Sequence, residues 1–491
     1  MFSHRIYNIY KLHLTGFVIL FFSFCSFKNV ESFVPEARYA HSATLVDKKL
    51  YFVGGQVSEI NQGQELFHLY GELFYLDVST SFDIESPSWT DLTASKHVPV
   101  RNSWAASSVG FGSKPANNLD KSTIYLIGGL MYITNQNAIV TDIVYAFDTK
   151  SQQWELPVTN GTGPNRRREV QAVSDNIGKI YYFGGKSDYT TTGSPAENVI
   201  RYNTMNILDT VQLSWSIGSM IDAPSPREGY SATLFINLII FIGGRENSND
   251  GQSFHLVNIS QIPVYDIQSS KWYLTIAGGA NVSHRYYHSA ILAPNDLIIV
   301  YGGTSERDLP ASQQLIALNI TSLPYQWIAP TTSYLSLDAI PPPLSLHSST
   351  LVEKYMIIAF GNITNATRSA SLNLYLLDTT NWTWVTTFES SNSIHPVISI
   401  GVIGTIIGIA LSIIIIIVFT VLYVRARKKS NQNHPPTKNS PPSSSRNSIS
   451  NQFSIPQEII SGTYDDARTS YVRPRPKSNP LLRSYSTLAN T

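Results

Sequence analysis

The stretch Leu50-Tyr51-Phe52-Val53-Gly54-Gly55 is an apolar run closed by a glycine pair, and the chain repeats it. Ile124 to Gly129, Ile180 to Gly185, Ile239 to Gly244 and Ile298 to Gly303 share the form, ending in Gly128-Gly129, Gly184-Gly185, Gly243-Gly244 and Gly302-Gly303. A degenerate sixth copy runs from Met356 to Gly361-Asn362. From the third copy onward the first glycines, Gly184, Gly243, Gly302 and Gly361, fall 59 residues apart. A fixed period of that size marks one supersecondary unit copied along the chain.

Upstream of most glycines lies an arginine followed by small, hydroxyl or aromatic residues. Arg38-Tyr39-Ala40-His41-Ser42-Ala43, Arg227-Glu228-Gly229-Tyr230-Ser231-Ala232 and Arg285-Tyr286-Tyr287-His288-Ser289-Ala290 are the clearest copies. Arg101 to Ala106 and Arg168 to Val173 are looser, and the sixth copy has Leu344 where arginine is expected. Downstream come a polar loop, a strand-like run ending in Asp or Asn (Asp77, Asp148, Asn203, Asp266, Asn319, Asp378), and a tryptophan. The tryptophans are Trp89, Trp154, Trp215, Trp272, Trp327, and Trp382 or Trp384. Four short strand signals per unit predict an all-β fold, a propeller of six blades. The run before the glycines suits a strand buried on both faces between neighbouring blades. Glycine follows where the chain turns sharply and passes close to other backbone.

These residues resemble the kelch repeat, with its arginine motif, apolar run and Gly-Gly, Tyr/Phe-Asp and Trp. The resemblance covers roughly residues 36–388. It departs at the second unit, where Gly112 to Ser122 inserts, and at the sixth, which lacks the arginine and the second glycine. A kelch propeller hosts many unrelated roles, so the resemblance implies a fold before a function. Copper oxidases that share this propeller use a tyrosine cross-linked to a cysteine. The chain has one cysteine, Cys25, so the resemblance does not extend to that site.

Topology is read from the two ends. Residues 1–32 carry Arg5 and Lys11, an apolar stretch from Gly16 to Phe27 and small residues after it, the order of a signal peptide. The propeller is expected over 33–390 and a short linker over 391–396. Val397 to Val424 has no charged residue and is long enough to span a bilayer. Arg425, Arg427, Lys428 and Lys429 follow at once, the cluster that stays cytoplasmic. Residues 425–491 form a basic, Ser- and Pro-rich tail expected to be disordered, with eleven Lys or Arg to three Asp or Glu. Ser448, Ser484 and Tyr464 there are candidate phosphorylation sites, through which the tail would bind cytoplasmic partners. Residues 33–424 carry nine more acids than bases, and nothing in the pattern is a nucleic-acid footprint. Glycosylation sequons at Asn160, Asn258, Asn281, Asn319, Asn362, Asn365 and Asn381 all fall on the propeller side.

No zinc-binding His-Glu-x-x-His, Gly-x-Ser-x-Gly elbow or P-loop occurs, so no catalytic residue, metal ligand or cofactor is expected. His41, His288 and His347 recur at one repeat position, which favours packing over ligation. The loops after the glycines differ between units and are the candidate ligand-binding elements. They offer Glu59, His68 and Tyr70 in the first, Tyr132 in the second, Lys186 and Asp188 in the third, and Arg245, Glu246 and His255 in the fourth. The expectation is a single-pass type I membrane protein, at the plasma membrane, whose propeller binds a protein or glycan outside the cell. A luminal trafficking or quality-control receptor and an extracellular propeller enzyme are the alternatives.

Overall fold

The computed structural model describes residues 33–391, except 62–63, 97, 113–119, 134–138, 194–198, 248–252 and 365–368, together with 417–425 and 427. Two compact units divide after Ser393. The expected signal peptide, most of the expected membrane span and the tail from 428 lie outside the described residues. Residues 417–425 are helical, and no helix of the described residues is long and apolar enough to cross a membrane.

In the first unit each repeat folds into its own antiparallel sheet. Ser42–Val46, Lys49–Val53, Leu73–Asp77 and Trp89–Asp91 pair in chain order to make the first. Five further sheets follow the same plan, with inner strands Ala106–Gly110, Ala172–Ser174, Ser231–Phe235, Ser289–Leu292 and Ser348–Val352. These inner strands neighbour one another in cyclic order, and Ser348–Val352 returns to Ser42–Val46. The second strand of each sheet is the apolar run read from the sequence. Thr123–Ile127, Leu297–Tyr301 and Tyr355–Ala359 are buried at every position, as strands flanked by two other sheets must be.

One hydrogen bond explains most of the repeated motif. The N–H of the second glycine donates to the carbonyl at the head of the next sheet's arginine motif. Gly129 reaches Arg167 O at 2.8 Å, Gly185 reaches Arg227 O at 2.8 Å and Gly244 reaches Arg285 O at 2.9 Å. The remaining three are Gly55 to Asn102 O, Gly303 to Leu344 O and Gly361 to Arg38 O, each at 2.8 Å. The last of these ties the end of the ring to its beginning. The arginine side chain then serves its own sheet: Arg38, Arg167 and Arg285 donate to Gly54 O, Gly184 O and Gly302 O at 2.9, 2.9 and 3.0 Å. Glycine is forced here. At Gly302, φ is +68°, and a Cβ would lie 2.2 Å from Leu344 O.

This bond corrects the expected register at three repeats: in the sixth, Gly361 takes the second glycine's place and Phe360, with φ +57°, takes the first, so the first glycine is the one that copy lacks. In the other two the motif position belongs to Asn102 and Arg167, each next to the arginine expected there, because theirs are the carbonyls that receive the glycine N–H. Arg101 and Arg168 therefore point elsewhere. In the sixth sheet Trp384, not Trp382, is the buried tryptophan, paired opposite Leu377.

Every sheet comes from one continuous stretch, so no terminal strand is exchanged to close the ring. A small extra pair does that work: Thr387–Phe388 lies antiparallel to Phe82–Asp83, and the Phe82 and Phe388 rings stack at 5.1 Å. Beneath them Leu50, Phe52 and Phe74 of the first sheet share a core with Ile357, Phe360 and Leu376 of the last.

Candidate binding face at the mouth of the ring

The antiparallel order sends the loops that follow the glycines to one face, together with the arginine motifs. The Asp/Asn turns go to the other, the third of them at Asp209, which ends the strand Met205–Asp209, and not at Asn203, which precedes that strand. On the loop face, the third residue of each motif adopts a left-handed conformation: Ala40, Trp104, Glu169, Gly229, Tyr287 and Leu346, with φ from +53° to +67°. All six line the central cavity, of about 210 Å³. The repeat thus presents six different residues at one geometric position around the mouth. That position was not singled out from sequence, although its signal was there, since it varies most within an otherwise uniform motif.

Half of this ring is one linked system. Trp104 and Tyr287 pack at 5.3 Å between centroids, and Trp104 Nε1 donates to Gln56 Oε1 at 3.2 Å. Tyr287 donates its hydroxyl to Glu169 at 2.7 Å and receives an N–H of Arg245 at 2.8 Å. Glu169 is buried and also meets Arg168 at 2.6 Å, Lys186 at 2.8 Å and Arg245 at 3.2 Å. Glu228, fully buried, takes Arg245 at 2.6 Å, Arg201 at 3.1 Å and Lys186 at 3.4 Å. Asp188 accepts from Arg168 at 2.5 Å and caps the short helix Tyr189–Thr192.

The electrostatics follow from that crowding. Burial alone would raise the Glu169 carboxyl, but Lys186, Arg168 and Arg245 outweigh it and hold it well below the usual range. Asp188 is lowered too, against its burial, chiefly by the hydrogen bond from Arg168. Burial, with Glu169 beside it, pushes the Tyr287 phenol well up. Glu169 and Asp188 are thereby held as carboxylates that fix the positions of the cations and of Tyr287 around them. The cations of the cluster, Arg168, Lys186, Arg201 and Arg245, outnumber the acids Glu169, Asp188 and Glu228 by one.

Beside the mouth lies a larger groove of about 640 Å³. One wall is the hairpin Gln56–Asn61 with Gln64–Leu69, carrying exposed Leu66 and Phe67. The other walls include Trp104, Leu130, Tyr132 and the cations Arg101 and Arg168.

The sequence candidates divide between these environments. Glu59 and His68 are exposed and pair with each other at 3.0 Å on the hairpin. Tyr70 is half-buried under Arg38, 4.5 Å from its ring centroid, and donates to Glu36 at 3.0 Å. Tyr132 and His68 line the groove. Lys186, Asp188 and Arg245 are buried within the ion cluster instead of standing free on loops. Exposed His255 pairs with half-buried Glu246 at 3.0 Å on the fourth loop, away from the groove lining. Among the described residues no group of His, Cys, Asp or Glu is arranged to hold a metal.

A closed ring of sheets, each stitched to the next through Gly-Gly and an arginine motif, defines a kelch propeller, a class of protein-binding module. The chain belongs to the kelch-repeat family: the model described as the KLHDC2/KLHL20/DRC7 Kelch-repeats domain matches residues 116–361 and 257–403. It is 26% identical over 273 residues to Kelch domain-containing protein 3 of Rattus norvegicus, covering 55% of this chain and 65% of that protein. The chain thus spans just under two thirds of that relative's length. It is 22% identical over 292 residues to N-(sulfonatooxy)prop-2-enimidothioate sulfolyase of Thlaspi arvense, covering 57% of this chain and 74% of that one. The solved structure of YjhT superposes with a TM-score of 0.51 at 13% identity, covering 72% of this chain and 99% of that one, a likeness of fold.

Proposed function

We propose that this chain is a six-bladed kelch propeller that binds a protein ligand on its loop face, without catalysing a reaction, and is carried outside the cell by a single membrane span. The observation that carries the binding site is the groove beside the mouth. Its apolar and aromatic lining, Leu66, Phe67, Leu130, Tyr132 and Trp104, suits an apolar anchor of a protein more than a glycan. Arg101 and Arg168 on its wall favour an acidic group beside that anchor. The sheets and cyclic neighbours support six blades, and the uncharged run from Val397 to Val424 followed by four basic residues supports the type I topology.

The test is binding of the purified propeller to intact cells and to a glycan array, beside Phe67→Ala and Tyr132→Ala. An aromatic anchor at the centre of an interface is worth about 2 kcal/mol or more, roughly 30-fold in affinity. Saturable binding to cells weakened to that extent in both variants supports the reading. Binding to the glycan array instead, or binding indifferent to both variants, sinks it.

A further inference from the structure

A sheet ending in an unpaired strand is a template for another chain, and folds built of many sheets blunt such edges. Here most outer strands are short or covered. Trp89–Asp91 and Gln153–Glu155 are three residues long. Gln326–Ile328 is covered in parallel by Gly278–Gly279, and Thr383–Val385 by Ser333–Tyr334. Ser214–Ile217 is flanked by Asn160, which donates to Leu213 O at 2.8 Å and accepts from Trp215 N–H at 2.9 Å.

The fourth sheet departs from this pattern. Its outer strand, Lys271–Ile276, is six residues long, and the sheet stops there. Ala277 donates inward to Ser260 O at 2.8 Å, so by alternation Tyr273 and Thr275 direct their backbone groups inward as well. Trp272, Leu274 and Ile276 direct theirs out of the sheet. Gly278, the next in that phase, does donate outward, to Tyr325 O at 2.8 Å. Pro263, opposite Leu274, fits the same phase: it has no N–H for the strand on its other side, where pairing stops at Ile240 and Val264.

The side chains along this edge are apolar. Leu274 is 57% exposed and Ile276 56%. Ile217, Met220 and Ile221 are also exposed, in the connection held alongside by the bond from Trp272 Nε1 to Ser219 O at 2.9 Å. The only charge on the strand is Lys271.

We infer that Lys271–Ile276 is a self-association edge, where two copies of this chain join their fourth sheets by antiparallel pairing. The occupant is a second copy because two identical antiparallel strands are self-complementary about a two-fold axis. The apolar band then meets its own like. The register is fixed by using all three outward-facing residues: Leu274 lies on the axis opposite itself, and Trp272 lies opposite Ile276. Lys271 then falls opposite Ala277 and not against another charge.

The full-length protein in membranes, with Cys25→Ser, tests this by short bis-maleimide cross-linking. In L274C the two thiols would stand on residues about 5.5 Å apart at Cα. In S269C, on the turn before the strand, they would stand roughly 30 Å apart at about 3.3 Å per residue. The expected result is a covalent dimer with L274C and none with S269C. In the second arm, L274P removes the outward N–H without touching the inner ladder and should raise the dimer dissociation constant at least tenfold in sedimentation, with circular dichroism unchanged. If L274P fails to fold, L274K, which sets like charges on the axis, replaces it. A monomeric L274C, cross-linking of S269C to the same extent, or an undiminished dimer in the folded second-arm variant would each overturn the inference.

Discussion

His41, His288 and His347 show what one side chain does for a closed ring. Each ring nitrogen Nε2 is bonded to a serine on the preceding sheet: His41 to Ser348 at 2.8 Å, His288 to Ser231 at 2.9 Å and His347 to Ser289 at 2.6 Å. Three successive seams, including the closing one, are latched this way. Burial lowers His41 and His347 to about 3, with Arg38 adding to the effect on His41, and lowers His288 well below its usual value, with Arg285 adding there. A folded-state pKa below the unfolded value of 6.5 contributes stability that is present above 6.5 and lost as pH falls toward 3. The expected slope is about 1.4 kcal/mol per pH unit for each histidine. The carboxyls with lowered pKa, Glu169, Asp188, Glu353 and Asp378, begin to act only below about pH 5. Urea unfolding at pH 7.5, 6 and 5 should therefore show stability falling between 6 and 5, and His347→Gln should lose about a third of that slope. An unchanged slope would mean that His347 is charged in the fold. The recurrence of these histidines was legible as packing, but their serine partners lie up to 307 positions away, where one sequence offers no pairing signal.

At the scale of the element, the strands were the legible part because their cause is local. An apolar run flanked by polar turns, ended by two glycines, states its own burial. What the sequence left open was how the ring closes, since closure depends on contacts between the two ends. The answer is not an exchanged strand. Gly361 donates to Arg38 O, and Phe388 on its two-residue strand is fully buried against Phe82 and, at 5.2 Å between centroids, Tyr355. The ion cluster at the mouth was half legible for a related reason. Lys186, Asp188 and Arg245 stood out as charged loop residues, yet their partners Glu169 and Glu228 sit inside the repeat motif, where they read as scaffold. The closing pair gives an element-scale prediction: Phe388→Ala should cost about 3–5 kcal/mol, the usual range for a buried phenylalanine. The loss should appear in thermal unfolding and in early proteolysis of the first and last sheets. A cost below about 1 kcal/mol would show that the ring holds without the Thr387–Phe388 strand.

For the whole molecule, the sequons test which side of a membrane the propeller occupies. Asn160, Asn258, Asn281 and Asn381 are exposed, so an oligosaccharide could be attached without displacing the fold. Asn319 is half-buried, and its Oδ1 already holds the Thr321 N–H at 2.9 Å and hydroxyl at 2.7 Å. Asn365 lies outside the described residues. Asn362 is the informative site. It pairs with Ser345 in a two-residue strand, and its half-buried side chain lines a cavity of about 250 Å³ with Tyr39, Trp104 and Tyr287 at the mouth. A glycan there would fill the mouth beside the proposed groove. Expression in secretory cells, followed by peptide mapping after N-glycosidase treatment, should find the four exposed sites modified and Asn362 bare. No modification at any exposed site would remove the support for an extracellular propeller, and with it the type I topology. Modification at Asn362 would leave the topology standing and place the ligand in the groove alone, because a mouth filled by sugar cannot also receive a protein segment.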